Sequence, residues 1–287
     1  MITTIQAIIL GLLQGVTELF PISSLGHSVI FPKLFGWSIG SNDKYFLLFL
    51  VATHFATALV LFGFFWRDWV AVFKGLWRVA KTRTIGRTDT YAKLGVLLVV
   101  GSVPAGILGL IFEKPIRGAL VAPSIAAFFL IVNGIVLLVA ESLRKKANSK
   151  YEDSYDSDKQ ISRLKWGSAL GIGAAQALAL IPGISRSGAS MAGGLKAGLS
   201  NESAARFSFL LATPIIGAAA LLKLPELFHH DVAPMRGAII AGSLAAALAA
   251  YVSVRFLVKF FQTHSLKPFA YYCMIAGFVF SVWLMVA

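Results

Sequence analysis

Six stretches of this chain are apolar over about the thickness of a bilayer, and that pattern restricts the fold more than any motif does. They cover roughly 46–66, 92–112, 122–141, 204–223, 236–258 and 269–287. Crossing the hydrocarbon core takes roughly 20 apolar residues in a helix. Inside that core every backbone polar group must be paired within the protein, which favours helices for runs of this length. Composition agrees: 57% of residues are hydrophobic and 14% charged, whereas a soluble domain carries about 25% charged residues. The expectation is an all-α polytopic membrane protein.

The formal net charge of +13 would suggest nucleic acid as a partner for a soluble chain. Here the basic residues lie mostly in loops, where anionic phospholipids and membrane orientation account for them, so no nucleic-acid partner is expected. Cys273 is the single cysteine, which excludes an internal disulfide and a cysteine-rich metal site. Residues 1–20 lack the basic start of a cleaved signal peptide, and Glu18 and Pro21 end their apolar run.

Two polar clusters interrupt the apolar background. The first is Glu18-Leu19-Phe20-Pro21-Ile22-Ser23-Ser24-Leu25-Gly26-His27, and the second is Pro182-Gly183-Ile184-Ser185-Arg186-Ser187-Gly188. Each contains a proline that interrupts helical hydrogen bonding. Polar groups at breaks in apolar segments are costly inside a membrane and point to a buried site.

The segments around these breaks are too short to span the bilayer as single helices. Residues 1–35 and 166–199 read as re-entrant broken helix pairs, the alternative for 1–35 being one irregular transmembrane helix. Each pair precedes three spans, so the chain divides into repeat one at about 1–141, a polar linker at 142–165 and repeat two at about 166–287, all in a single membrane domain. Gly11-x-x-Gln14 ahead of Pro21 is echoed by Gly173-x-x-Gln176 ahead of Pro182, one residue out of step. Three spans per repeat would invert the second relative to the first. Re-entrance also places the basic segments 67–93, 142–165 and 255–267 on one face, which the positive-inside rule makes cytoplasmic. Residues 69–79 have the pattern of an amphipathic surface helix. Helices 92–112 and 122–141 are expected to be joined by a linker holding Pro115 and Gly118.

The clusters carry the chemistry of phosphate handling. Glu18, the only acid before position 42, reads as a proton acceptor or a metal-associated carboxylate. One of Ser23 and Ser24 is expected to cap the returning helix, and serine can attack phosphorus when a base takes its proton. His27, three residues after Ser24, would share its helix face and could activate the hydroxyl or attack phosphorus itself. Arg186, flanked by Ser185 and Ser187, can hold two phosphate oxygens by charge-assisted bonds. Gly183 and Gly188 allow close backbone approach, and Ser190 adds a hydroxyl. An anion transporter could use Arg and Ser, but would have less need for Glu18, Ser24 and His27 together; a non-catalytic scaffold would need neither cluster.

The segments Gln14-Gly15-Val16-Thr17-Glu18-Leu19-Phe20-Pro21-Ile22-Ser23-Ser24-Leu25-Gly26-His27, Pro182 to Ser190, and Ala205-Arg206-Phe207-Ser208-Phe209-Leu210-Leu211-Ala212-Thr213-Pro214 resemble the signatures of the bacterial undecaprenyl-diphosphate phosphatase family, the bacitracin-resistance type. The resemblance covers nearly the whole chain. It implies interlocked inverted repeats in the inner membrane. It also implies hydrolysis of undecaprenyl diphosphate to the monophosphate at a periplasm-facing site. Catalytic roles would pass to Glu18, Ser24, His27 and Arg186, and substrate contacts to Gln14, Ser23, Gly183, Ser185, Ser187 and Ser190. A divalent cation, Mg2+ or Ca2+, with Glu18 as a ligand, and a homodimer are further implications. The chain departs from the family pattern at Gln14, where glutamate is common, and at Leu50, where an acid is frequent. Leu25 and Ser190 stand where threonine is common.

Overall fold

The computed structural model describes residues 2–39, 43–86, 88–120, 122–147 and 156–286. Most of the middle of the expected polar linker, 148–155, lies outside the described residues. The elements run α1 (Thr4–Leu19), α2 (Ser24–Leu34), α3 (Lys44–Phe64), α4 (Trp66–Thr82), α5 (Thr90–Leu120), α6 (Pro123–Ala147) and α7 (Ser157–Ser162). They continue with α8 (Trp166–Ala177), α9 (Arg186–Lys196), α10 (Asn201–Lys223), α11 (Arg236–Thr263) and α12 (Lys267–Val286). Among the described residues six helices, α3, α5, α6, α10, α11 and α12, are long and apolar enough to cross a membrane. Their outer faces are apolar. On α12 the exposed Tyr271, Ile275, Phe278 and Val282 recur at helical spacing. A soluble monomer would not leave such a stripe open; in lipid it is the required surface. The amphipathic helix expected at 69–79 is α4 and is longer, and α5 runs to Leu120, through the expected linker. A proline costs a helix one hydrogen bond and a clash with the carbonyl four residues back, which kinks a helix as readily as it ends one, so Pro115 does not require a linker.

Both expected breaks are present. α1 stops at Leu19, Phe20 is extended, and Ser23 holds a left-handed φ of 69° before α2 begins. α8 gives way to a short 3-10 turn, then Gly183 at φ 100° leads into α9. A side chain at Gly183 would meet the Ala126 carbonyl and the Phe129 Cβ, so glycine is required there both for φ and for space. The two returning helices are capped alike: Ser23 Oγ accepts from Gly26 N at 3.2 Å, and Ser185 Oγ accepts from Gly188 N at 3.1 Å. The caps keep step with the Gly11/Gly173 and Gln14/Gln176 pairs at a constant separation of 162 residues (185 − 23 = 173 − 11). Only the prolines fall out of step.

The two halves clasp each other through glycine contacts. A Cβ on Gly11 of α1 would collide with the Gly242 carbonyl of α11, and one on Gly173 of α8 would collide with the Gly101 carbonyl of α5. Small residues let helix backbones approach this closely. The α6–α12 contact is reciprocal: Gly134 faces Ala270 and Met274, and Gly277 faces Ala127 and Ile131. The small residues at 191–198 and 241–250 are used in the same way, with Gly193 and Gly194 against Ile172 and Ala204, and Gly242 against Ala7 and Phe49.

Polar contacts define the two ends of the molecule. At one end Arg206 bonds Asp68 at 2.8 Å and Asp158 at 2.7 Å, Asn201 donates to the His264 carbonyl at 3.3 Å, and Glu141 accepts from Leu266 N at 3.2 Å. Parts of all three basic segments therefore share one end. At the other end Lys44 pairs with Asp231 at 2.8 Å. Ile2, Trp37 and Ile39 meet in one apolar cluster with Val232, so α1 begins and α2 finishes at this second end. Leu164 and Leu199, flanking α8 and α9, border one crevice at the first end. The tips of the two broken pairs meet between. Asn133 of α6 joins them, donating to the Pro21 carbonyl at 2.9 Å and accepting from Ser185 N at 3.0 Å.

Candidate functional site

Glu18 is the centre of the site. It occupies the last turn of α1, 6% exposed, where the chain leaves the helix. Its Oε2 accepts from Ser24 Oγ at 2.6 Å and from Gln14 Nε2 at 3.2 Å, and lies 3.2 Å from His54 Nε2. Its Oε1 accepts from Arg186 Nε at 3.3 Å. Gln14 reaches it because i and i+4 share a helix face. Ser24 reaches it because the break turns α2 back beside the end of α1.

Arg186 comes from the other broken pair. Its Nη1 donates to the Ser208 carbonyl at 3.4 Å. Its Nη2 is buried and has no protein partner among the described residues. An unpaired buried guanidinium nitrogen is costly, and a planar fork with a free prong suits a phosphate oxygen. Ser24 and Arg186 are the first residues of α2 and α9. The opening N–H groups of a helix have no intrahelical acceptor, and the dipole makes that end positive. Two such ends converge here, an arrangement that favours an anion.

The site opens into a cavity of about 470 Å³. Glu18, Ser24, His54, Gln176, Ser185 and Arg186 form its polar end. Beyond them it is apolar, lined by Leu47 and Val51 of α3, Ala105, Gly106, Gly109 and Leu110 of α5, and Ile215, Ile216 and Leu222 of α10. A polar head with a long apolar extension matches an amphiphile. Lys223 stands at its rim, at the C-terminus of α10.

The sequence-predicted residues divide into two groups. Glu18, Ser24, Arg186 and Ser185 reach the cavity, and Gln14 supports Glu18 from behind. The others hold the frame. Ser23 caps α2 and Gly183 packs on α6. Ser187 donates to the Phe20 carbonyl at 3.1 Å, and Ser190 shares a 2.6 Å bond with Ser208. His27 does not meet Ser24: its Nδ1 lies 2.7 Å from the Ser23 carbonyl and its Nε2 2.8 Å from the Tyr272 hydroxyl, with the rings stacked. It is fully buried and absent from the cavity lining. Sequence reasoning gave no role to His54, Asn133 or Gln176. The available signal was cost, since each is a polar side chain inside an apolar run.

A divalent cation would depend on Glu18, the one carboxylate at the cavity among the described residues. Magnesium is commonly held by one or two carboxylates plus substrate phosphates. At Glu18 such a cation would have to share the carboxylate with Ser24, Gln14, His54 and Arg186.

Comparison with known proteins bears on the whole chain. Residues 7–279 match the family model described as Bacitracin resistance protein BacA. The chain is 45% identical over 298 residues to the undecaprenyl-diphosphatase of Mycolicibacterium paratuberculosis, covering 98% of this chain and 97% of that one. It is 45% identical over 289 residues to the undecaprenyl-diphosphatase of Granulibacter bethesdensis, covering 98% and 96%. With undecaprenyl-diphosphatase 2 of Oenococcus oeni it shares 41% over 277 residues and 95% of each chain. A match of this length, carried by a chain whose two polar breaks meet at one anion-ready cavity, places the protein in the bacitracin resistance protein BacA family.

Proposed function

We propose that the protein hydrolyses undecaprenyl diphosphate to undecaprenyl phosphate and inorganic phosphate, recycling the lipid carrier of cell-wall synthesis. The observation that carries this reading is the set formed by Ser24 Oγ, 2.6 Å from the Glu18 carboxylate, and the unpartnered Nη2 of Arg186 beside it. Hydroxyl, proton acceptor and phosphate clamp lie at the polar end of a cavity whose remainder is apolar.

The chemistry follows from these positions. The terminal phosphate takes the free prong of Arg186 and the N–H groups opening α2 and α9. Ser24 Oγ attacks the terminal phosphorus while Glu18 Oε2 accepts its proton. The bond from that phosphorus to the bridging oxygen breaks, and the prenyl monophosphate leaves. Water then attacks the phosphoserine phosphorus, the bond from phosphorus to Ser24 Oγ breaks, Glu18 gives its proton back to Oγ, and the protons of the water leave on the released phosphate. Arg186 offsets the charge that develops on the equatorial oxygens. A divalent cation, held by Glu18 and the diphosphate, would supply further charge neutralisation. Direct attack by His27 has no distance in its favour, since both ring nitrogens are already engaged.

The prenyl tail lies in the apolar extension between α5 and α10. Gly106 and Gly109 keep that extension wide, with open space where a Cβ would stand. The architecture we infer is two inverted repeats, 1–141 and 166–287, each led by a re-entrant pair. The mirrored α1–α11 and α8–α5 contacts support it, as does the return of each pair to the end where it began. The protein is a multi-pass protein of the bacterial inner membrane. The basic end is taken as cytoplasmic, so the cavity, bordered by Leu47, Leu110 and Lys223 at the other end, faces the periplasm. α4 supports contact with anionic phospholipids, because exposed Trp66, Phe73 and Trp77 alternate with Arg67, Lys74 and Lys81. A homodimer, implied by family resemblance alone, would use a surface other than the internally packed glycines.

The test is phosphate release by purified protein from defined polyprenyl diphosphates, with headgroup movement followed in sealed vesicles. Hydrolysis is expected. Lipid movement without any phosphate release would replace this reading with transport.

A further inference from the structure

We propose that His54 is a positioning residue of the reaction: it holds the Glu18 carboxylate so that Oε2 stays turned to the Ser24 hydroxyl. The inference rests on the phosphatase reading above and deepens it. His54 stands in the middle of α3, a regular apolar helix with no break to excuse a polar side chain. An imidazole inside a membrane span is costly unless both nitrogens find partners. Its Nδ1 lies 2.6 Å from the Leu50 carbonyl. A carbonyl only accepts, so Nδ1 carries a hydrogen and the ring is anchored to its own helix. With Nδ1 donating to that carbonyl, Nε2 holds Glu18 Oε2, 3.2 Å away, by donating a second hydrogen, so the ring acts as an imidazolium paired with the carboxylate.

That contact matters because Glu18 is contested. Arg186 Nε draws Oε1 at 3.3 Å, and a guanidinium left alone with a carboxylate tends to take both oxygens. A rotation of that kind would carry Oε2 away from Ser24. His54 and Gln14 hold Oε2 from two sides, one from α3 and one from α1. Three flexible side-chain torsions of glutamate are fixed in this way before substrate arrives. His27 cannot take over this task, since the Ser23 carbonyl and Tyr272 occupy its two nitrogens.

The experiment compares wild type, His54→Ala and His54→Gln, purified in detergent. Turnover is measured as phosphate release from a polyprenyl diphosphate. Affinity is measured with the methylene-bridged, non-hydrolysable analogue, which also reports that the site is folded. Displacing a reacting group by an ångström costs about 100-fold, so His54→Ala is expected to lower kcat by about 10- to 100-fold while analogue affinity shifts less than about threefold. His54→Gln should recover most of that loss, because its amide N–H has similar reach and can donate to Oε2. The proposal is overturned by a His54→Ala kcat within about twofold of wild type. It is also overturned if His54→Gln turns over no faster than His54→Ala while binding the analogue normally. Loss of analogue binding in both variants would make His54 a structural residue of the cavity and reject the positioning role. A wild-type protein that releases no phosphate overturns the phosphatase reading and this inference with it, whereas a hydrolysing wild type with an indifferent His54→Ala overturns only the inference.

Discussion

Placing a leucine at Gly109 should convert a long-chain enzyme into one that prefers short tails. Gly109 lines the apolar extension of the cavity, and no atom lies within 4 Å of where its Cβ would stand. The added side chain therefore enters space allotted to the prenyl tail without straining α5. Helix propensity rises by roughly 1 kcal/mol over glycine, so the fold is not put at risk. A leucine side chain has four carbons and displaces about as many carbons of the tail. Each buried methylene is worth about 0.8 kcal/mol, which makes the loss about 3 kcal/mol. That corresponds to a fall of roughly 200-fold in kcat/KM for the undecaprenyl substrate. A five-carbon prenyl diphosphate ends before the obstruction and should be hydrolysed as by wild type. The assay is phosphate release from both substrates side by side, and the quantity read is the ratio of the two kcat/KM values. Gly106→Leu, one turn earlier on the same face, should act in the same direction. An unchanged ratio, or an equal fall for both substrates, would refute the placement of the tail between α5 and α10.

Further outcomes follow from single contacts. Arg186→Lys should leave about 1–10% of turnover, since an ammonium cannot bond Glu18 and phosphate in the geometry of the guanidinium fork; full activity would mean that the free Nη2 holds no phosphate. Asn133→Leu leaves the Ser185 N–H unpaired and the Pro21 carbonyl with only the weak Cys273 Sγ–H donor at 3.8 Å, so it should cost about 1–4 kcal/mol, read as a lower thermal midpoint. An unshifted midpoint would deny that Asn133 ties the two tips together. In a Cys273→Ser background, cysteines replacing Thr84 and Lys159 should resist an impermeant thiol reagent added outside intact cells, while one replacing Ala233 reacts. Labelling of the first two would reverse the orientation.

Much of the fold was legible because membrane spans are written in composition. The length of each apolar run, the proline-broken pairs and the gathering of basic segments at one end all follow from the cost of polar groups in hydrocarbon. That Glu18, Ser24 and Arg186 would be gathered in the interior was legible for the same reason, each standing at a break. The repeat register was obscured because Pro21 and Pro182 are the conspicuous residues and are the ones out of step. Ser23 and Ser185, which carry the correspondence, are ordinary capping serines until their φ and hydrogen bonds are seen. His27 was placed with Ser24 by three-residue spacing. Spacing gives the helix face but not the partner across it, and Tyr272 lies 245 residues away. His54 and Asn133 sit in unbroken helices, where sequence shows the expense of a polar group without showing what it bonds.

The central claim is that Ser24 carries the phosphoryl group between the lipid and water. It is tested most directly by quenching the enzyme during turnover of a prenyl diphosphate and mapping the modified residue by mass spectrometry. The account predicts a phosphoserine at Ser24 that vanishes, together with turnover, in Ser24→Ala. A phosphorus–nitrogen adduct at His27, with substantial turnover surviving in Ser24→Ala, would contradict it.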